Sequence, residues 1–368
     1  MSYGRKLFYQ KNIYDLKKTD DLFVKSLIEN VRHHQLHCPE YAEILIRRNF
    51  SPDEIVSVND IYRLPPIPTM FFKNHTLHSS SHKRLLFQST TSGTSGKVSE
   101  MGLDWSSAGL GLGMVTNTCF THKIISLHPA NYVVLGYQPA KRNKMGAVKT
   151  AYAATFTAPA MHREYALKDT GTEYFLNIEG LKQALLRYAK RGFPVRFIGF
   201  PAYFMYLVKE LLDSGIKLKL HPKSLVILGG GWKQFFSEQV DKPALYGMSK
   251  EALGIGEDRI RELFGVVEHP IAYFDCPNHH FHVPVYSRVI IRDMDLRPVE
   301  YGTPGLLNLL TPMITSMPFT SIMTDDLAVM HPGEECGCGI RSPYFEILGR
   351  VGIADIKTCA AVTSELPL

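Results

Sequence analysis

The sequence predicts an α/β protein in which a mostly parallel sheet is covered by helices and a smaller antiparallel β subdomain follows. Two observations carry that expectation. Between residues 85 and 265, apolar runs of strand length at 132–135, 195–198 and 225–228 alternate with loops and helical stretches. That alternation is the pattern of a parallel sheet built from strand–helix units. Beyond residue 270, the runs at 283–292, 305–311 and 327–330 are β-rich and separated by Arg297-Pro298, Thr303-Pro304 and His331-Pro332-Gly333. Such punctuation marks turns between antiparallel strands.

Taken in order, the chain opens with a helical region. Leu22, Phe23, Leu27, Ile28 and Val31 recur at helical spacing behind Asp20 or Asp21 as a cap. Pro39 is suited to opening a second helix through Tyr41, Ile44 and Leu45, and Leu64-Pro65-Pro66-Ile67-Pro68 is a stiff extended connector. Asp104 is the expected N-cap of a helix starting at Trp105, and Pro201 stands where a helix after the strand at 195–198 would begin. Lys141-Arg142-Asn143-Lys144 reads as a solvated loop. The divisions expected are a helical region at 1–80, an α/β nucleotide-binding core at 81–270, the β-rich subdomain at 271–348 and a tail at 349–368.

Composition excludes several classes. The chain has 368 residues, 45% apolar and 21% charged, as in an ordinary soluble globular protein. A net charge of +6 without a long Lys/Arg block leaves no nucleic-acid footprint. The first residues lack the apolar core of a signal peptide, and no run of eighteen apolar residues exists to span a bilayer. The cytoplasm is the expected compartment, where the six cysteines read as thiols or metal ligands rather than disulfides.

Residues 89–97, Ser-Thr-Thr-Ser-Gly-Thr-Ser-Gly-Lys, lie between the apolar run at 85–88 and the helix expected at Trp105. Gly93 and Gly96 let backbone N–H groups turn towards an anion, Ser89, Thr90, Thr91, Ser92, Thr94 and Ser95 add hydroxyl donors, and Lys97 adds a full charge. The spacing is not that of the Walker loop. Further on, Gly229-Gly230-Gly231-Trp232 ends a strand and allows close approach of a flat ligand. Phe264-Gly265-Val266-Val267-Glu268 is expected to follow a helix; Ser321-Ile322-Met323-Thr324-Asp325-Asp326-Leu327 and Leu348-Gly349-Arg350 come later.

In this order, the five segments resemble the motifs of the adenylate-forming superfamily. The resemblance implies the fold of that superfamily's N-terminal part and a reaction using ATP and Mg²⁺. Residues 92–97 would hold the phosphates, Gly230 and Gly231 would lie against adenine, and Phe264 with Gly265 would stack on it. Glu268 would reach Mg²⁺, Asp326 would accept both ribose hydroxyls, and Arg350 would contact ribose or phosphate. Val267 stands where the superfamily has threonine. The usual hinge aspartate is replaced by Gly352, and the chain stops at Leu368, so the mobile C-terminal domain with its catalytic lysine is expected to be missing. Lys97 and Lys233 are the candidates to replace that lysine.

The stretch from Lys357 to Leu366 resembles the tail of the acyl-protein synthetases of bacterial luminescence operons. Gly229-Gly230-Gly231-Trp232-Lys233, Asp275-Cys276-Pro277 and the opening region with His34 and Cys38 are similar to that family too. This resemblance implies that a long-chain fatty acid is activated as acyl-AMP and transferred to Cys359 as a thioester. An acyl reductase is the implied partner. A free cysteine thiol of pKa about 8.5 is already a serviceable nucleophile, and Lys357 stands two positions before it. Two rivals remain: an acid–thiol ligase serving coenzyme A or a carrier protein, as among phenylacetate-CoA ligases, and a non-catalytic nucleotide-binding subunit of a reductase complex.

Cys276, His280, His282, Cys336 and Cys338 form a separate candidate set for structural Zn²⁺. Cys336-Gly337-Cys338 is shorter than a zinc knuckle, yet two thiolates with a distant Cys and His can complete a tetrahedron. His282, between Phe281 and Val283, is preferred to His280 as the buried histidine.

Overall fold

In the computed structural model, which describes residues 2–80, 85–90, 99–232, 235 and 238–351, the first long helix spans Leu16–His37 and is capped by Asp15. The Asp15 carboxylate accepts the Lys18 N–H at 3.4 Å. Asp20 and Asp21, the expected caps, lie inside the helix instead, and the Asp20 carboxylate is taken by Arg288 at 2.6 Å. Phe23, Val24, Leu27 and Val31 bury the apolar face. His34 is buried on the same helix, and its Nε2–H donates to the Ile314 carbonyl (3.0 Å), which leaves Nδ1 to accept from the Ser79 hydroxyl (2.7 Å). Burial pushes this imidazole down to about 3, so it is neutral.

The chain divides into two compact units, one containing residues 1–88, 99–118 and 266–368, the other residues 89–98 and 119–265. The opening helices and the β-rich segment therefore belong to the same unit. Its sheet runs in the order Phe281–His282, Tyr344–Arg350, Ser321–His331, Gly305–Leu310, Arg288–Arg292, all antiparallel. The connector strand Ile67–Pro68 adds in parallel to Ser321–His331. The run expected at 283–292 becomes strand only at Arg288. Before it, the Val283 and Val285 N–H groups bond to the Pro343 and Ile13 carbonyls, and Pro284 has no N–H to offer a ladder.

Pro39 opens the helix Pro39–Arg47 as its composition suggests. The helix Trp105–Thr121 starts behind Asp104, whose carboxylate accepts the Ser107 N–H at 2.8 Å and the Thr315 hydroxyl at 2.9 Å.

The Arg288–Asp20 pair ties the long helix to this sheet. Arg288 is buried, lies 4.2 Å over the Phe23 ring, and also donates to the Ser287 carbonyl at 2.7 Å. Burial draws its pKa down, and Asp20 opposes that shift. Asp20→Ala should cost about 3 kcal/mol, at the low end for breaking a buried pair because Asp20 remains 29% exposed. Asp21, exposed on the same turn, should tolerate alanine within about 0.5 kcal/mol. Equal urea midpoints for the two variants would refute this assignment.

The second unit holds the predicted parallel sheet. Its strands lie in the order Ile260–Val266, Leu225–Gly229, Val195–Gly199, Ala130–Tyr137, Ala160–Asp169, Tyr174–Leu176, parallel except for the last. Helices Ile178–Arg191, Pro201–Asp213 and Lys242–Leu253 supply Leu185, Phe204, Leu207 and Leu253 to a core with Val133, Phe197 and Val226. Residues 141–144 form the exposed loop expected, and within it Arg142 pairs with Asp169, donates to the Gly171 carbonyl at 2.8 Å and lies 4.8 Å over Tyr174. It clasps the hairpin formed by the last two strands. Among the described residues, no helix is long and apolar enough to cross a membrane.

Candidate active site and metal cluster

In the second unit, the chain order reverses between Ala130–Tyr137 and Val195–Gly199, a topological switch point of the kind at whose carboxyl edge α/β sheets bind ligands. Glycines line that edge. Gly229 stands in register with Leu263, and Gly230 and Gly231 follow with φ of 82° and 67°, a region that side chains rarely adopt. A Cβ on Gly230 would also come within 2.6 Å of the Phe200 ring. Phe264 and Gly265 continue directly from Leu263 on the strand Ile260–Val266, which follows the helix Lys242–Leu253 and the 3₁₀ turn Glu257–Arg259. The paired strand ends thus bring Gly230, Gly231, Phe264 and Gly265 to one edge beside the Phe200 ring, a setting suited to a flat ring. Phe200 was not singled out from the sequence; an aromatic residue directly before Pro201 carried no recognisable signal.

In the first unit, Asp326 is in register with Arg350 across the Ser321–His331 and Tyr344–Arg350 strands. The direct ion pair of Arg350, at 3.5 Å, goes to the neighbouring Asp325, which also accepts from the Thr69 hydroxyl at 3.5 Å. Burial raises the pKa of Asp326, and the charge of Arg350 opposes that shift. Glu268 is buried, whereas Asp326 is half-buried. The Glu268 carboxyl is raised by burial and further by Asp325, while the Ser99 side chain and Lys73 act in the opposite sense. Buried carboxylate oxygen reinforced by a second negative charge is a donor set that fits a hard divalent cation.

Ser92, Gly93, Thr94, Ser95, Gly96, Lys97 and Cys359 lie outside the described residues, as do Lys233 and Lys357. The strands Phe87–Thr90 and Glu100–Leu103 stand on either side of residues 91–98.

The cysteine–histidine set is brought together from three segments of the first unit. One ligand atom each from Cys276, His282, Cys336 and Cys338 lies within 4.8 Å of every other. Cys276 follows the strand His269–Phe274, His282 sits on Phe281–His282, and Cys336 ends the 3₁₀ turn Gly333–Cys336. Gly337, with φ of 72°, turns the chain so that Cys338 points back. Cys276 Sγ is 3.5 Å from Cys336 Sγ, and His282 Nε2 is 3.2 Å from Cys338 Sγ. His282 Nδ1–H donates to the Ser342 carbonyl at 2.7 Å, leaving the Nε2 lone pair free. His280 stacks on Tyr344 and places Nδ1 3.2 Å from Cys336 Sγ.

Comparison with known proteins gives this geometry a context. The chain matches the family described as acyl-protein synthetase, LuxE, over residues 11–366. It is 26% identical over 325 residues to a long-chain-fatty-acid–luciferin-component ligase of Vibrio harveyi, spanning 84% of this chain and 79% of that protein. Among solved structures, it is similar to a 2-hydroxyisobutyryl-CoA ligase in complex with 2-HIB-AMP and CoA, with a TM-score of 0.68 at 14% identity over 93% of this chain and 72% of that one. A long-chain-fatty-acid-CoA ligase from Archaeoglobus fulgidus is more distant, with a TM-score of 0.50 at 12% identity over 73% of this chain and 51% of that one. At such identities the likeness establishes the fold, that of adenylate-forming ligases. With a family match that runs from residue 11 to residue 366, the chain belongs to the LuxE family of acyl-protein synthetases, ligases that activate an acyl group and pass it to protein.

Proposed function

We propose that this synthetase activates a long-chain fatty acid with ATP in the cytoplasm and carries the acyl group on Cys359 as a thioester for delivery to an acyl reductase. The observation that carries this reading is the extent of the family match, which takes in the Ser/Gly/Lys stretch, Asp326, Arg350 and Cys359 alike.

A carboxylate is a poor acyl donor because its negative charge repels nucleophiles. Its oxygen attacks the α-phosphorus of ATP, the bond to pyrophosphate breaks, and acyl-AMP forms. The Cys359 thiolate then attacks the acyl carbonyl carbon, and AMP leaves with the electron pair of the broken C–O bond. One ATP, one fatty acid and one thiol thereby give thioester, AMP and pyrophosphate. Ser92 to Lys97 supply donors and charge to the phosphates; Gly230, Gly231, Phe264 and Gly265 take the adenine; Asp326 and Arg350 take the ribose side. Glu268 would hold Mg²⁺, which when bound offsets phosphate charge.

The test is intact-protein mass spectrometry after incubation with ATP, Mg²⁺ and saturated fatty acids of increasing length. The expected result is a gain of one acyl group that neutral hydroxylamine removes, with the best acid in the panel identifying the substrate. AMP release without any adduct would transfer the acceptor role to a free thiol such as coenzyme A and overturn self-acylation.

A further inference from the structure

We propose that Cys276, His282, Cys336 and Cys338 bind one zinc ion that closes the loop between residues 333 and 343 against Cys276 and the strand Phe281–His282. Tetrahedral Zn²⁺ with Zn–S of about 2.3 Å and Zn–N of about 2.0 Å requires S···S edges of about 3.8 Å and S···N edges of about 3.5 Å. The edges observed, 3.5 Å between Cys276 and Cys336 and 3.2 Å between Cys338 and His282, are slightly shorter than those values, so each pair needs only to open by a few tenths of an ångström to take the metal. Three sulfurs and one imidazole leave no open position, as in structural zinc sites.

The surroundings are built for thiolates. Three thiolates and a neutral imidazole around a dication carry one net negative charge, which needs N–H donors when buried. Each sulfur has one within reach. The Asn278 N–H lies 3.3 Å from Cys276 Sγ, and the Ile340 N–H lies 3.5 Å from Cys338 Sγ. His280 Nδ1, held by stacking on Tyr344, serves Cys336 at 3.2 Å. His280 is therefore the donor to a ligand, and His282, whose ring is fixed through the Ser342 carbonyl, is the ligand itself.

Apart from the metal cluster the loop is held by hydrogen bonds, with the Asn278 side chain donating to the Cys336 carbonyl at 2.6 Å and the Val283 N–H to the Pro343 carbonyl at 2.8 Å. Its apolar cluster consists of Cys276, Cys336 and Tyr344, with Cys338 and Ile340 packed against them. A core made mainly of sulfur buries too little carbon to order a loop, whereas a metal bound only by the folded chain contributes its binding free energy to folding.

The experiment is metal analysis of the untagged protein, purified under reducing conditions and passed through a chelating buffer. One zinc per chain is expected, and cobalt exchange should give the visible and thiolate charge-transfer bands of a tetrahedral sulfur-rich site. Cys338→Ser and His282→Asn should lose the metal and the bands, whereas Cys119→Ser, in the other unit, and His280→Phe should keep one metal per chain. Folded wild-type protein with neither zinc nor a cobalt spectrum would overturn the proposal. So would metal retained in both ligand variants, or a non-reduced mass lower by two hydrogens, reporting a Cys276–Cys336 disulfide in place of the site. Loss of zinc from His280→Phe but not from His282→Asn would overturn the ligand assignment. The wild-type measurement stands even if a variant fails to fold.

Discussion

Replacing Cys359 with alanine should abolish labelling of the protein by radioactive fatty acid and leave ATP–pyrophosphate exchange at the wild-type rate. The two readouts divide because exchange reports only formation of acyl-AMP, in which the nucleophile is the substrate carboxylate. The thiol enters afterwards, and alanine offers no nucleophile at all. The other cysteines are poor substitutes. Burial raises the thiol pKa of Cys38 and Cys119, so little thiolate exists there at neutral pH, and Cys276, Cys336 and Cys338 are the thiols assigned to the metal cluster. Cys359→Ser sharpens the test. A hydroxyl is a weaker nucleophile, and any adduct would be an oxygen ester, so labelling should be slow and resistant to neutral hydroxylamine. Hydroxylamine-labile label on the alanine variant would place the acceptor on another cysteine, and loss of exchange together with labelling would show that Cys359 is needed for adenylation itself.

Much of this molecule was legible before its structure, for physical reasons that also mark where legibility stopped. The strands Ala130–Tyr137, Val195–Gly199 and Leu225–Gly229 announce themselves because strands buried on both faces must be continuously apolar. Pro39, Asp104 and Pro201 mark helix starts because their effects are local. Asp15 was missed in favour of Asp20 and Asp21 because the partner that claims Asp20 lies 268 residues away. The exposed loop at Arg142 was legible, but its partners were not, because only the hairpin brings the carbonyls of Gly171 and Glu173 near. In the metal cluster the apolar neighbours of His282 pointed to it over His280, but the partners that fix the two rings were not legible. They are a backbone carbonyl at Ser342 and a ring at Tyr344, and neither is written in the spacing of ligands.

Asp326→Asn should raise the KM for ATP by about 10- to 100-fold, the loss of about 1.5–3 kcal/mol that accompanies one charge-assisted hydrogen bond. The argument rests on the division between two adjacent carboxylates. Asp325 is engaged by Arg350 and Thr69, whereas Asp326 feels the Arg350 charge yet leaves the direct ion pair to its neighbour. A half-buried carboxylate held near a cation but not consumed by it can accept two hydroxyl donors at once. Asparagine keeps the shape, replaces one acceptor oxygen by an NH₂ donor and so confronts one ribose hydroxyl with the wrong partner. The decisive comparison uses 2′-deoxy-ATP. The wild-type enzyme should bind it worse than ATP, and Asp326→Asn should discriminate much less between the two, because the contact is already lost. Asp325→Asn should retain full discrimination even if its thermal midpoint falls, since its part is to hold Arg350. Equal discrimination by wild type and Asp326→Asn would remove Asp326 from the ribose site and leave it a structural carboxylate, whatever happened to the absolute KM.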